Sequence, residues 1–211
     1  MGARVVVTVT LALAMLDLDA YAGPNCEGEA RALRAHLTRE ASRADTWTSL
    51  WALGFAAAAV GQIVLADAEA NPFGEFDAAY RGQLYVGAIK ASLGLGSKLV
   101  VPLRIRVPPR VPDPDLDQCE DARRLRKALA TAADKERKSI LLTIIGGTAV
   151  NLGGSIWLWI RHDFKTAATS FLVGAPVGPI SALTQPRGSM RLHKKQRIEW
   201  VAGLGWIGGS F

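Results

Sequence analysis

The amino-acid sequence predicts a mainly α protein: a membrane-embedded bundle of four helices made from two tandem helical hairpins. Three observations lead there. Apolar residues are gathered into long charge-free runs, with the charges placed between them. The first half of the chain aligns on the second. A segment that cannot be helical divides the halves.

The runs come first. Thr46 to Ala66, Ser139 to Ile160 and Thr166 to Gln185 contain no charged residue, although Pro176 and Pro179 interrupt the last. A bilayer core is crossed by about 20 apolar residues in a helix, and all three runs reach that length. A buried helix of a soluble bundle would normally keep a polar stripe, which these runs lack. The overall composition, 49% hydrophobic in 211 residues, would by itself fit a soluble domain too. Trp47, Trp51, Trp157 and Trp159 stand near the ends of the runs, as interfacial aromatic belts do.

The N-terminus has the layout of a secretory signal peptide over residues 1–22. Arg4 supplies a positive charge, Val5 to Leu16 is apolar but too short to span, and Ala20-Tyr21-Ala22 offers a small-x-small cleavage site. The mature chain would then begin near Gly23. Cys26 and Cys119, the two cysteines of the chain, form an even pair that permits one disulfide in an oxidising compartment.

Shifting the chain by 92 residues lays Arg31, Leu33 and Arg34 on Arg123, Leu125 and Arg126. Leu37 then meets Leu129, Ala41 meets Ala133, and Gly54 and Gly61 meet Gly146 and Gly153. The Cys-Glu pairs at 26 and 119 join after a one-residue gap, and Val86-Gly87-Ala88 answers Val173-Gly174-Ala175 at a slightly different offset. An internal repeat of this kind sets the architecture before any local detail. Each unit reads as a long helix and a returning helix, over 23–106 and 119–186. Leu33 and Leu37, and Leu125 and Leu129, sit at i, i+4 spacing and make an apolar seam at the polar start of each long helix. The Pro/Asp-rich stretch 107–118 is the linker between units. Small residues four apart (Ala57 and Gly61, Gly87 and Ala91, Gly174 and Gly178) suit close helix packing in lipid, with Gly54 and Gly146 expected at helix crossings. Those faces also leave room for a homo-oligomer. Residues 187–211 form a basic tail whose Gly- and aromatic-rich end, from Gln196, reads as a short β segment.

Topology signals conflict. A cleaved signal puts the mature N-terminus, the linker and the tail outside. Yet linker and tail are the basic segments, which normally stay cytoplasmic. The cleavage site and the repeated Cys-Glu favour export and a cell-envelope location, with inner and outer membrane both open.

No catalytic constellation emerges, and the sequence points away from an enzyme. There is no G-x-S-x-G, P-loop, H-E-x-x-H or dinucleotide fingerprint. Gly94 to Lys98 lacks the spacing and the following hydroxyl of a phosphate loop. His36, His162 and His193 stand apart, so neither a metal nor another cofactor is expected. The net charge of +6, set beside membrane helices, suggests a lipid bilayer with anionic headgroups as partner rather than nucleic acid. Lys90 lies midway along the second apolar stretch, and an ionisable group inside a membrane is a candidate functional site. Snorkelling to the surface is the competing reading, and it is the expectation for Lys98 on the same face. Gln62 and Asn151 are the uncharged polar residues within spans and read as hydrogen-bonding glue between helices. The leading expectation is a non-enzymatic envelope membrane protein with a structural or interaction role. The alternative is a small channel or transporter with Lys90 on an anion path at the repeat interface.

Overall fold

The computed structural model describes residues 25–67, 77–110 and 118–196. It is mainly helical, and no strand occurs among the described residues. In chain order the helices are α1 (Cys26–Asp67), α2 (Ala78–Val100), α3 (Gln118–Arg161), α4 (Phe164–Gly174) and α5 (Val177–Thr184). Further helical turns follow over 188–196. The signal peptide expected over 1–22, the β segment expected from Gln196 onward and the linker residues 111–117 lie outside the described residues, Gln196 itself excepted, which ends the last helical turns.

Local chemistry sets the helix ends. Asn25 caps α1 by accepting the Gly28 amide at 2.9 Å, Asp77 caps α2 through Tyr80 N at 2.7 Å, and Asp163 caps α4 through Thr166 N at 2.8 Å. Helix α2 stops at Val100, two residues before Pro102. The last apolar arm is two helices, because Pro176 has no amide to continue the ladder and α5 restarts from it.

Three helical stretches are long and apolar enough to cross a membrane: Cys26–Asp67, Cys119–Arg161 and Phe164–Thr184. Helix α2 has 23 residues but carries Arg81, Lys90 and Lys98 along its length. At 42 and 44 residues, α1 and α3 are each over 60 Å long by the helical rise of about 1.5 Å per residue. A hydrocarbon core is about 30 Å thick. Each long helix therefore has two halves. Its second half is the charge-free run. Its first half extends past the end of that run as a charged stalk.

The stalk has a true core. Ala30, Leu33, Leu37 and Ala44 of α1 pack on Ala122, Leu125, Leu129 and Ala132 of α3. Residues 101–110 run back along this pair in extended form. Leu103 and Ile105 enter the core while Arg104 and Arg106 stay exposed, the period-two alternation of an extended chain. Arg34 Nη1 donates to Pro108 O at 2.5 Å and Lys135 Nζ to Arg104 O at 3.4 Å, which anchors the segment.

Two glycine expectations are corrected. Gly54 and Gly146 do not lie at crossings: a Cβ at either would meet no atom within 4 Å. Gly61 is equally open and Ala57 is exposed. The close approach is made one residue along, where a Cβ on Gly147 would come to 3.4 Å from the Gly178 Cα. Gly146 and Gly147 point about 100° apart around the helix, so only one of them can face α5. Lys98 is corrected as well. It is buried, not reaching for the surface, with its ammonium 4.1 Å from the centre of the Trp47 ring.

Candidate functional site

Helices α2, α3 and α4 converge on Lys90. Its stem crosses α3 at Gly154, where a Cβ would collide with Lys90 Cε. Its ammonium donates to Asn151 Oδ1 at 2.9 Å, Ser170 Oγ at 3.0 Å and, more weakly, Ser155 Oγ at 3.4 Å. Three N–H donors thus meet three oxygens. The acceptors are oriented from behind. Asn151 Nδ2 donates to Phe171 O at 3.0 Å, which turns its oxygen toward Lys90, and Ser155 spends its proton on Asn151 O at 2.9 Å. None of these partners is a carboxylate. The arrangement therefore holds a cation by neutral dipoles, and an anion could approach only by displacing one of the three oxygens.

Of the sequence candidates, the structure brings Lys90 and Asn151 together. Gln62 takes no part in these hydrogen bonds. Its Oε1 occupies the place that a Cβ on Gly87 would need, so it fills the α1–α2 contact. Asn151 sits against Gly174 of α4 in the same manner. Ser155, Ser170 and Gly154 were not singled out from sequence. A signal existed for two of them, because Asn151, Gly154 and Ser155 fall at i, i+3, i+4 on one helix face.

The base of the stalk holds a second polar centre. The helical turns over 188–196 are capped by side chains from the two long helices. Gly188 N donates to Glu40 Oε2 at 3.1 Å, Ser189 N to Glu136 Oε1 at 3.2 Å and Met190 N to Glu136 Oε2 at 2.9 Å. Both glutamates are buried. A Cβ on Gly188 would strike the Glu40 carboxylate, so a larger residue there would push that carboxylate off the Gly188 amide. Glu40 also pairs with Arg43 at 2.7 Å. Glu136, in the stalk before the charge-free run of α3, has no cationic partner among the described residues. Burial pushes its carboxyl above the ordinary glutamate range. The amides of Met190 and Ser189 oppose that shift, while the charge of Glu40 adds to it. Gln185 fixes the preceding turn, donating to Glu136 O at 2.9 Å and accepting from Ser139 Oγ at 3.0 Å.

At the tip of the stalk a disulfide joins Cys26 to Cys119, with Cα atoms 4.8 Å apart. Two ion pairs flank it. Arg34 forks onto Asp121 at 3.0 and 3.1 Å, and Arg126 forks onto Glu29. The Arg126 partner holds the Glu29 carboxyl below its ordinary range. A 92-residue shift converts one ion pair into the other, Glu29 to Asp121 and Arg34 to Arg126.

Compared with known proteins, the chain matches no family model, no curated protein and no solved structure.

Proposed function

We propose that this is a non-enzymatic integral membrane protein of the cell envelope. In this reading it is a duplicated helical hairpin that carries a rigid stalk out of the bilayer for a structural or interaction role. One observation carries the proposal. The leucines at the stalk core of α1 and α3 are buried, whereas those of the charge-free halves are bare apart from Leu158, which packs with Val86 and Ala167. Leu33, Leu37, Leu125 and Leu129 are at most 3% exposed, while Leu50, Leu53 and Leu142 are 63–68% exposed. Bare leucine faces of this extent suit lipid and not water.

The exchanged ion pairs support the duplication, since Arg34–Asp121 and Arg126–Glu29 repeat one contact in both directions. The disulfide supports an oxidising compartment and hence export of the stalk. The test is extraction and labelling. The protein should stay with membranes through alkaline carbonate. In a Cys26→Ser/Cys119→Ser background, a reporter cysteine at Lys127 should react with an impermeant maleimide added outside the cell, and one at His162 should not. Release by carbonate ends the membrane reading, and the reverse labelling pattern ends the exported stalk.

Lys90 keeps one second reading alive. A cation held only by neutral oxygens fits an anion path through the α2–α3–α4 contact. In that case wild-type protein in liposomes conducts anions and Lys90→Leu abolishes the flux while the protein stays folded. A wild type without flux leaves Lys90 as a helix tie.

A further inference from the structure

Where the stalk meets the membrane, α1, the end of α5 and the turns over 188–196 border an open cleft of about 760 Å³. Its lining changes character along the helix axis. On the stalk side stand Arg43, Arg187 and Arg191, and on the membrane side Leu50, Trp51 and Leu183. Arg43 precedes the charge-free run of α1 by three residues, and Arg187 follows the last apolar arm at Thr184 by three. Charge thus begins at one level on both walls. Leu50 and Leu183 below it are open, at 64% and 71% exposure.

The wall is organised for a ligand that is anionic at one end and apolar at the other. Trp47 and Trp51 both donate their indole N–H to Thr184 Oγ1 at 3.2 Å, which fixes the two rings at the boundary. Arg187 Nη2 donates to Ala182 O at 2.9 Å, yet its Nε is buried with no partner. A buried guanidinium N–H without an acceptor carries a desolvation cost, and the protein leaves Arg187 short of acceptors. Among the described residues neither Arg187 nor Arg191 has a carboxylate partner. Glu40 is the one acid of the lining, and its oxygens are already committed to Arg43 and Gly188 N.

We propose that this cleft binds an anionic phospholipid, its phosphate held by Arg187, Arg191 and Arg43 and its acyl chain laid along Leu50, Trp51 and Leu183. The inference rests on the membrane reading and adds the lipid class and its contacts. Arginine at this depth matches phosphate by geometry as well as charge, through its planar donor fork. Tryptophan at the same level is the usual residue of a headgroup boundary.

The test uses the full chain, extracted in detergent and examined by native mass spectrometry for retained lipid. Carbonate resistance is established first, so that failure of the membrane reading registers separately. Wild type is expected to retain phosphatidylglycerol over phosphatidylcholine by about tenfold or more, on the order of 1 kcal/mol per arginine near the surface. Arg187→Gln/Arg191→Gln should abolish that preference, and Arg191→Gln alone, at an exposed position, should weaken it without touching the fold. Disulfide formation and helicity of each variant report folding. Equal retention of the two lipids by wild type overturns the proposal, as does undiminished preference in a folded double variant. Displacement of the lipid by millimolar inorganic phosphate would make the site one for a soluble anion and overturn it too.

Discussion

The two halves of α1 and α3 obey opposite packing rules within single uninterrupted helices. In the stalk, leucine is inside and charge outside, with Leu125 and Leu129 fully buried and Arg124 paired to Glu120 on the surface. In the charge-free half, leucine is outside except at Leu158, and the buried residues include Asn151 and Ser155, which hold Lys90. Water pushes apolar side chains together, whereas hydrocarbon exerts no such push and leaves hydrogen bonds and small residues to hold helices. On the proposed membrane reading, the inversion marks where one solvent gives way to the other. It does so between Ala44 and Leu50 on α1, and near Ser139 on α3.

The largest effect that could break this comparison is loss of the clamp. Cys26→Ser/Cys119→Ser opens a sequence separation of 93 residues, and the chain-entropy model gives roughly 4 to 5 kcal/mol for a loop of that size. Hydrogen exchange over 26–44 and 119–136 should accelerate strongly, while exchange in the charge-free halves should hardly change. Unaltered stalk exchange would mean that the leucine core suffices alone.

Next in size is a paired substitution. Leu129→Ala should cost about 3 kcal/mol of stalk stability by cavity formation. Leu142→Ala, on the bare face, should cost under about 0.5 kcal/mol, because lipid replaces what is lost. Denaturation in micelles compares them. Similar costs at both positions would erase the distinction between the halves.

A smaller effect probes the buried polar contact. A double-mutant cycle on Lys90→Leu and Asn151→Leu should return a coupling of about 1 kcal/mol, typical of hydrogen bonds between membrane helices. A coupling near zero would show that α2 and α3 are held by shape alone.

The least expected change is a pH dependence at the stalk base. Glu136 has a carboxyl raised above its ordinary range, so the native state disfavours its charged form. The resulting penalty is absent at acidic pH. It grows as pH rises from the ordinary glutamate range through the raised value. Protection of the amides over 188–196 from exchange, corrected for intrinsic rate, should therefore be greatest in mild acid and fall across that window. Glu136→Gln should flatten the profile. A flat profile in the wild type would place the titration elsewhere.

Much of the stalk was legible in the sequence, because i, i+4 leucines at equivalent places in two segments name both the buried face and its partner. The same alignment, with a one-residue gap, placed Cys26 and Cys119 at the two helix starts. Lys90 and Asn151 stood out because polar groups are rare inside apolar runs. The rest depended on relations that a linear pattern does not carry. Choosing Gly147 over Gly146 as the contact requires the rotation of α3 about its axis. Glu40 and Glu136 look like ordinary surface acids of amphipathic helices. Their role appears only when the turns over 188–196 present amides to them across more than 50 residues of sequence. Leu103 to Val107 alternates cleanly, but its alternation serves an extended segment on a helix pair, with no strand beside it among the described residues.

Continuity between the stalk and the charge-free half turns α1 into a lever. No proline or turn interrupts its 42 residues, which at about 1.5 Å per residue make an arm of some 60 Å. A tilt of about 5° at one end carries the other by roughly 5 Å, close to the pitch of one helical turn. The covalent rivet at the tip ties α3 to the same motion. Under the proposed interaction role, a partner bound to the stalk would have a mechanical hold on the far ends of both helices, beyond the level at which Lys90 joins α2 to α3 and α4.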